Sequence, residues 1–165
     1  MKTHTHDSEK LAVGKQVITA CAFIHKNFDG IEKLFMAKRS ATKKFLPGVY
    51  ELPGGHIDFG EDVVEGLKRE VFEEFQMHIE VGDPFAVFDY INQVKGSHSI
   101  EIIYFATFKD TVENIVIDPE YHSEFNWFSE EDLSKSFSKE KVESDEEYRA
   151  IYKGFSLLKG IRLNF

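Results

Sequence analysis

The chain of 165 residues has a single cysteine, Cys21. One thiol cannot close an internal disulfide, so nothing points to an oxidising compartment and the expected setting is cytoplasmic. Proline is scarce, at four residues, and no Pro- or Gly-rich stretch divides the chain. Long apolar runs are missing too. The longest largely apolar stretch, 17–24, is far shorter than a bilayer span, and residues 1–10 lack the apolar core of an export signal, so no membrane partner is expected. Basic charge is in deficit: 20 Lys and Arg face 29 Asp and Glu, a formal net charge of −9. With no Lys/Arg stripe to overturn that balance locally, nucleic acid and anionic membranes are poor partners.

What is present suits one compact domain. Hydrophobic residues make up 42% and charged residues 30%, enough for a core without staples. A chain of this length hides about 70% of its extended surface on folding. Residues 1–15 are expected to be a flexible N-terminal segment, with His4 and His6 solvated, and 16–165 a single domain.

The segments 16–26 and 31–37 are rich in Val, Ile, Ala and Phe and flank the turn-forming Asn27-Phe28-Asp29-Gly30, which predicts a β-hairpin. A short strand at 49–52 ends at Pro53-Gly54-Gly55, where a loop is expected. Asp62 with Glu65 three residues on resembles a capping box, and Val64, Leu67, Val71 and Phe75 recur at helical spacing, so a helix is predicted over 62–76. Strand-like runs follow at 85–94, 100–108 and 125–128. Ser144 with Glu147 predicts the start of a C-terminal helix, whose stripe is Tyr148, Ile151, Tyr152, Phe155 and Leu158. The charged stretch 139–147 reads as a solvated connection. Strands interleaved with helices make the fold class α/β, a sandwich with helices covering a mixed sheet.

Within the 62–76 helix, Glu70, Glu73 and Glu74 stand at i, i+3 and i+4, so one side of the helix gathers three carboxylates offset from the apolar stripe. Such a cluster disfavours its own ionisation and calls for a cation. A hard divalent ion suits it: Mg²⁺ takes oxygen ligands and typically bridges carboxylates to substrate phosphates. Zinc does not, because the histidines are scattered and Cys21 sits in an apolar run. Gly66, one turn before Glu70, would let a loop or ligand approach closely. A solvated acidic face is the competing reading of these glutamates taken alone.

A wider spacing favours the site. Gly55, five residues, Glu61, seven residues, then Arg69-Glu70-Val71-Phe72-Glu73-Glu74-Phe75-Gln76-Met77 resembles the Nudix box. Six of the seven fixed identities of that signature stand here, and Val71 and Met77 fill its apolar slots. Leu52-Pro53-Gly54-Gly55-His56 and Glu124-Phe125-Asn126-Trp127-Phe128-Ser129 look like the family's flanks, so the resemblance spans most of 16–135. The departure is Gln76, where the signature has a Gly that follows the helix in left-handed geometry. A side chain there is expected to cost about 1 kcal/mol or to shift the helix end.

The resemblance implies a Nudix-like α/β/α sandwich and hydrolysis of a pyrophosphate bond by metal-activated water. By carry-over, Glu70, Glu73 and Glu74 bind Mg²⁺ or Mn²⁺, with the Gly54 carbonyl a further ligand, while Arg69 and Glu61 orient helix and loop. One of the glutamates also serves as the base. An additional carboxylate is expected from Glu120, with Glu124 second. Arg39 resembles a family position that meets substrate phosphate, Gly55 lies beside it in the substrate-binding set, and Trp127 joins Phe45, Phe59, Phe85 and Phe88 as aromatics able to stack on a base. The segments 35–39 and 51–61 look most like small nucleoside-triphosphate pyrophosphatases, which implies release of a nucleoside monophosphate and pyrophosphate. The alternatives are hydrolysis of ADP-ribose or a nucleotide sugar, and a Nudix module that senses a nucleotide without cleaving it. The expected partner is a nucleotide substrate, and a homodimer stays open.

Overall fold

The computed structural model describes residues 11–161, apart from the side chains at 141 and 142. Strand β1 (Gln16–Phe28) turns into β2 (Ile31–Arg39) as the sequence predicts, and the hairpin is longer than the apolar runs alone suggest. Asp29 and Gly30 at its tip have φ of 52° and 89°, a pair of left-handed residues whose twist matches the flanking strands. The Asn27 side chain accepts the Gly30 N–H at 2.9 Å. β3 (Tyr50–Glu51) is brief, and 54–56, expected as loop, forms a further strand, β4 (Gly54–His56), antiparallel to β1. Glycine makes this pairing possible. A Cβ on Gly54, at φ +144°, would stand 2.2 Å from the Ala20 carbonyl oxygen.

Helix α1 (Val63–Phe75) follows, then β5 (Ile79–Asn92), β6 (Ser97–Phe108) and β7 (His122–Ser129). The chain closes with α2 (Glu130–Ser136), α3 (Lys139–Ser144) and α4 (Glu146–Leu158). The sheet runs β3-β2-β1-β6-β5, with β4 also on β1 and β7 on β2; the β1–β6 pairing is parallel and the others antiparallel, so the sheet is mixed.

Central β1 is buried on both faces from Thr19 to Ile24, which is why it reads as a continuous apolar run without alternation. Ala20, Ala22 and Ile24 pack with Leu67, Val71 and Phe75 of α1, whereas Cys21 and Phe23 pack with Tyr148, Ile151 and Phe155 of α4. Helices thus cover the two faces of one mixed sheet in an α/β/α sandwich. None of the helices among the described residues is long and apolar enough to cross a membrane.

Three local readings need correction. α4 is capped by Asp145, whose carboxylate accepts the Glu147 and Tyr148 N–H groups at 3.0 and 3.3 Å, and not by Ser144. Ser144 instead ends α3, a helix inside the stretch read as a connection. α2 was not foreseen, although Ser129 and Asp132 form a reciprocal capping box at its start. At the N-terminus, residues 1–10 with His4 and His6 lie outside the described residues, but 11–15 are tied down: Ala12 and Gly14 donate their N–H groups to the carbonyls of Lys95 and Gly96.

Candidate active site

Asp62 starts α1 by accepting the Val64 and Glu65 N–H groups, both at 3.0 Å. That fixes the rotation of the helix. Leu67, Val71 and Phe75 then face the sheet, and the acidic residues face its rim. The helix ends where the sequence signature places its glycine: Gln76 takes left-handed geometry, φ 56° and ψ 31°, and its N–H reaches the Phe72 carbonyl at 2.8 Å. The helix end therefore does not shift.

Arg69 ties this helix to the preceding loop. Its guanidinium donates to both Glu61 oxygens, at 2.8 and 3.0 Å, to the His56 carbonyl at 3.1 Å, and to Glu70 and Glu73 at 2.9 and 3.4 Å. The two-pronged bond to Glu61 is the geometry in which Arg excels over Lys. Glu61 also receives the Asp58 N–H at 2.9 Å. The loop lies so close that a Cβ on Gly66 would stand 2.8 Å from a Glu61 oxygen, which accounts for a glycine inside the helix.

Glu70 and Glu74 face a cavity of about 390 Å³. They are only 8% and 7% exposed. Burial is the main reason that Glu70 is pushed up to about 7; Glu73 and Glu61 push the same way, and Arg69 opposes them. Glu74 is raised well above the usual carboxylate range, again by burial first and then by Glu70 and Glu51, against a backbone hydrogen bond from Gly54 and the charge of Arg39. One Glu74 oxygen, Oε2, is buried without a hydrogen-bond partner. Gly55 completes the cradle: a Cβ there would stand 2.5 Å from Glu70 Oε2.

The structure does not gather every expected residue. Glu73 leans toward Arg69 and lies outside the cavity wall. Among the described residues no group of three or more His, Cys, Asp or Glu is arranged to hold a metal ion. Even so, the residues fit a hard divalent cation. Glu70 and Glu74 offer oxygen donors only, one oxygen is orphaned, and the Gly54–Gly55 backbone leaves room beside them. Glu120 is exposed in the turn before β7, and Glu124 is engaged by the Tyr50 hydroxyl at 2.7 Å and by Lys38; neither lines the cavity. Trp127 is likewise away from it, packed on Phe28 and Phe35 at ring distances of 5.1 and 5.3 Å. It sits in β7 directly opposite Phe35, and that pairing turns it into the α1-side core.

Arg39 does line the cavity. It is buried, donates through Nη1 to Glu51 at 3.1 and 3.2 Å and through Nε to the Phe45 carbonyl at 2.8 Å, and its Nη2 has no partner. Glu51 and His122 are functional candidates that the sequence reading missed. His122 Nε2 lies 2.9 Å from Glu51, its ring stacks on Phe75, and its Nδ1 is buried and unpartnered. No motif marks either residue. Glu51 shares a two-residue strand with Tyr50, and His122 lies 71 positions away.

The NUDIX domain model matches residues 15–150. No curated protein matches the sequence. Among solved structures, the chain is similar to a MutT NUDIX hydrolase from Burkholderia pseudomallei, at 26% identity and a TM-score of 0.60 over 76% of this chain and 92% of that one. A MutT protein from Methanosarcina mazei Go1 aligns at 22% identity and a TM-score of 0.66, covering 90% and 99%. An Ap4A hydrolase from C. elegans aligns at 19% and 0.69, covering 88% and 99%. With the family model spanning more than half of its length, and the glutamate-bearing helix where that family's signature lies, this chain belongs to the NUDIX family of hydrolases.

Proposed function

We propose that the protein is a Mg²⁺-dependent pyrophosphatase that cleaves a nucleoside triphosphate, or another nucleoside diphosphate derivative, and releases a nucleoside monophosphate. The observation that carries this reading is the orphaned Glu74 oxygen beside buried Glu70, at the wall of a nucleotide-sized cavity. Burial makes Glu70 and Glu74 costly to ionise even with Arg69 beside Glu70, and a divalent ion would remove that cost. Glu70 and Glu74 would hold it, with the Gly54 carbonyl a further ligand, while Glu73 would join them only on release from Arg69. Bound there, Mg²⁺ or Mn²⁺ supplies Lewis-acid neutralisation of phosphate oxygens and acidifies water.

The chain's own residues do the rest. Arg69 and Glu61 are positioning residues that lock the loop over α1 and keep Glu70 aimed into the cavity. Arg39, with Nε and Nη1 already anchored, presents Nη2 to a phosphate oxygen. One of Glu70, Glu73 and Glu74 would take the attacking water's proton.

The test is a panel of nucleoside triphosphates, nucleotide sugars and ADP-ribose, assayed with Mg²⁺ and with Mn²⁺ for monophosphate, pyrophosphate and phosphate. Monophosphate plus pyrophosphate from a triphosphate is the expected result, and Glu74→Gln is expected to lower turnover at least about a hundredfold. Tight nucleotide binding with no turnover of any substrate would replace this reading with that of a sensor.

A further inference from the structure

Strand β2 ends at Arg39, and the loop 40–49 leads the chain back to β3. The loop is closed at its base: the Arg39 N–H donates to the Val49 carbonyl at 2.9 Å, and the Gly48 N–H to the Arg39 carbonyl at 3.1 Å. The Arg39 side chain ties down its middle, Nε donating to the Phe45 carbonyl at 2.8 Å. On the other flank, Arg39 pairs in register with His122, and the Ser40 N–H donates to the Tyr121 carbonyl at 2.9 Å. Lys43 turns back over this join. Its N–H reaches the Ser40 carbonyl at 3.1 Å, and its ammonium lies 4.8 Å from the centre of the Tyr121 ring. Arg39, Lys43 and Tyr121 thus share one wall of the cavity.

Arg39 and Lys43 are the only Lys or Arg side chains among the described residues that line this cavity. Most of the other charged groups around it are carboxyls. Besides Glu70 and Glu74, Glu101 lies on the floor in β6, and Glu147 comes in from the first turn of α4, where its Oε1 accepts the Leu52 N–H at 3.1 Å. Neither cation is satisfied by them. Arg39, 8% exposed, is held by Glu51 through Nη1 and leaves Nη2 buried and unmatched. Lys43 is half-buried, and among the described residues it meets the Tyr121 ring but no carboxylate. A buried guanidinium nitrogen without an acceptor keeps the full cost of its desolvation, so this wall calls for an anion.

The two cations stand at different depths. The Arg39 charge acts on Glu74, which places it beside the carboxyls that would hold the metal, whereas Lys43 is further out along the loop. Their chemistry differs too. Arg39 is fixed by its bonds to Glu51 and Phe45 and has one nitrogen to offer, while a lysine ammonium is a compact charge on a flexible stem. A terminal phosphate carries close to two negative charges at neutral pH, and a sugar cap removes one of them. Resting on the nucleotide-hydrolase reading above, we propose that Lys43 binds the terminal phosphate of a nucleoside triphosphate, one step out from the phosphate at Arg39, and makes the enzyme select triphosphates over diphosphates and their sugar-capped derivatives.

Analogues with a methylene group in place of the oxygen between the α and β phosphorus atoms resist cleavage there, so binding is read with Mg²⁺ present. Calorimetry on the full chain compares the triphosphate and diphosphate analogues of adenosine, guanosine and uridine. For the base that binds best, the triphosphate is expected to bind at least about tenfold tighter than the diphosphate. Lys43→Gln, folded by circular dichroism, is expected to bring the two within about twofold by weakening the triphosphate alone, and Lys43→Arg to keep the preference. Equal binding of the pair by the unaltered protein, or binding of neither, overturns the proposal with no variant needed. A triphosphate preference that survives Lys43→Gln overturns it as well. Turnover separates the two readings. ADP-ribose or a nucleotide sugar cleaved as fast as any triphosphate overturns the selection and leaves the hydrolase, whereas a triphosphate preference in binding without turnover of any substrate upholds the seat at Lys43 and removes the hydrolase.

Discussion

Gln76 holds a backbone conformation that glycine adopts at little cost, and its amide side chain returns one weak bond to the Phe72 carbonyl at 3.3 Å. Gln76→Gly is therefore expected to stabilise the protein by about 1 kcal/mol, a rise of about 2–4 °C in melting midpoint by calorimetry. An unchanged or lower midpoint would mean that the side-chain bond outweighs the strain. At this scale the sequence was informative where spacing dictates geometry. Glu70 and Glu74, one helical turn apart, do share the cavity, and Glu61 and Arg69 do meet. It was less informative where a side chain has a choice: Glu73 has the same helical credentials yet turns to Arg69, and Trp127 follows its strand register into the core.

Capping separates two neighbours that the sequence leaves hard to distinguish. Asp145 accepts two N–H groups at the head of α4, whereas Ser144 belongs to α3. Asp145→Ala is expected to cost about 1 kcal/mol in urea unfolding and Ser144→Ala only a small fraction of that. The reverse order would restore Ser144 as the cap. Helix α1 was legible because burial on one face imposes a repeat that local composition records, and the hairpin because two continuous apolar runs flank a turn-forming segment. β4 was hidden for the opposite reason. Gly54 and Gly55 carry no pattern of their own, and only their approach to Ala20 and Glu70 makes them a strand. The short α2 and α3 are too brief for a repeat to show.

Across the molecule, four glutamates, buried Glu70, Glu74 and Glu101 and half-buried Glu147, shape the response to pH. Glu70 and Glu101 are pushed up to about 7 from an ordinary value of 4.5, and Glu74 and Glu147 are raised well above that ordinary value as well. The folded state thus binds these protons more tightly than the unfolded chain. The stabilising contribution of Glu70 and Glu101 is complete below about pH 4.5 and is lost as pH rises through about 7, and that of Glu74 and Glu147 has the same sign. The lowered carboxylates Asp110, Glu124 and Asp132 are on the surface and act only at lower pH. In EDTA the melting midpoint is expected to be higher at about pH 5.5 than at about pH 8. Mg²⁺ with nucleotide at about a hundredfold excess over its dissociation constant is expected to restore about 2.7 kcal/mol at the higher pH. A midpoint that climbs steadily toward pH 8 without metal would contradict the burial of these groups. The share of Glu70 and Glu74 was foreshadowed by their helical spacing, but the rest was not readable from the chain, since Glu51, Glu101 and Glu147 become neighbours only through the fold. The bond from Leu52 to Glu147 joins positions 95 apart. A nascent chain halted before its final helix would carry every acidic residue of α1 and still lack the wall that Glu147 adds opposite Glu101, so the cavity takes its full shape only late in synthesis.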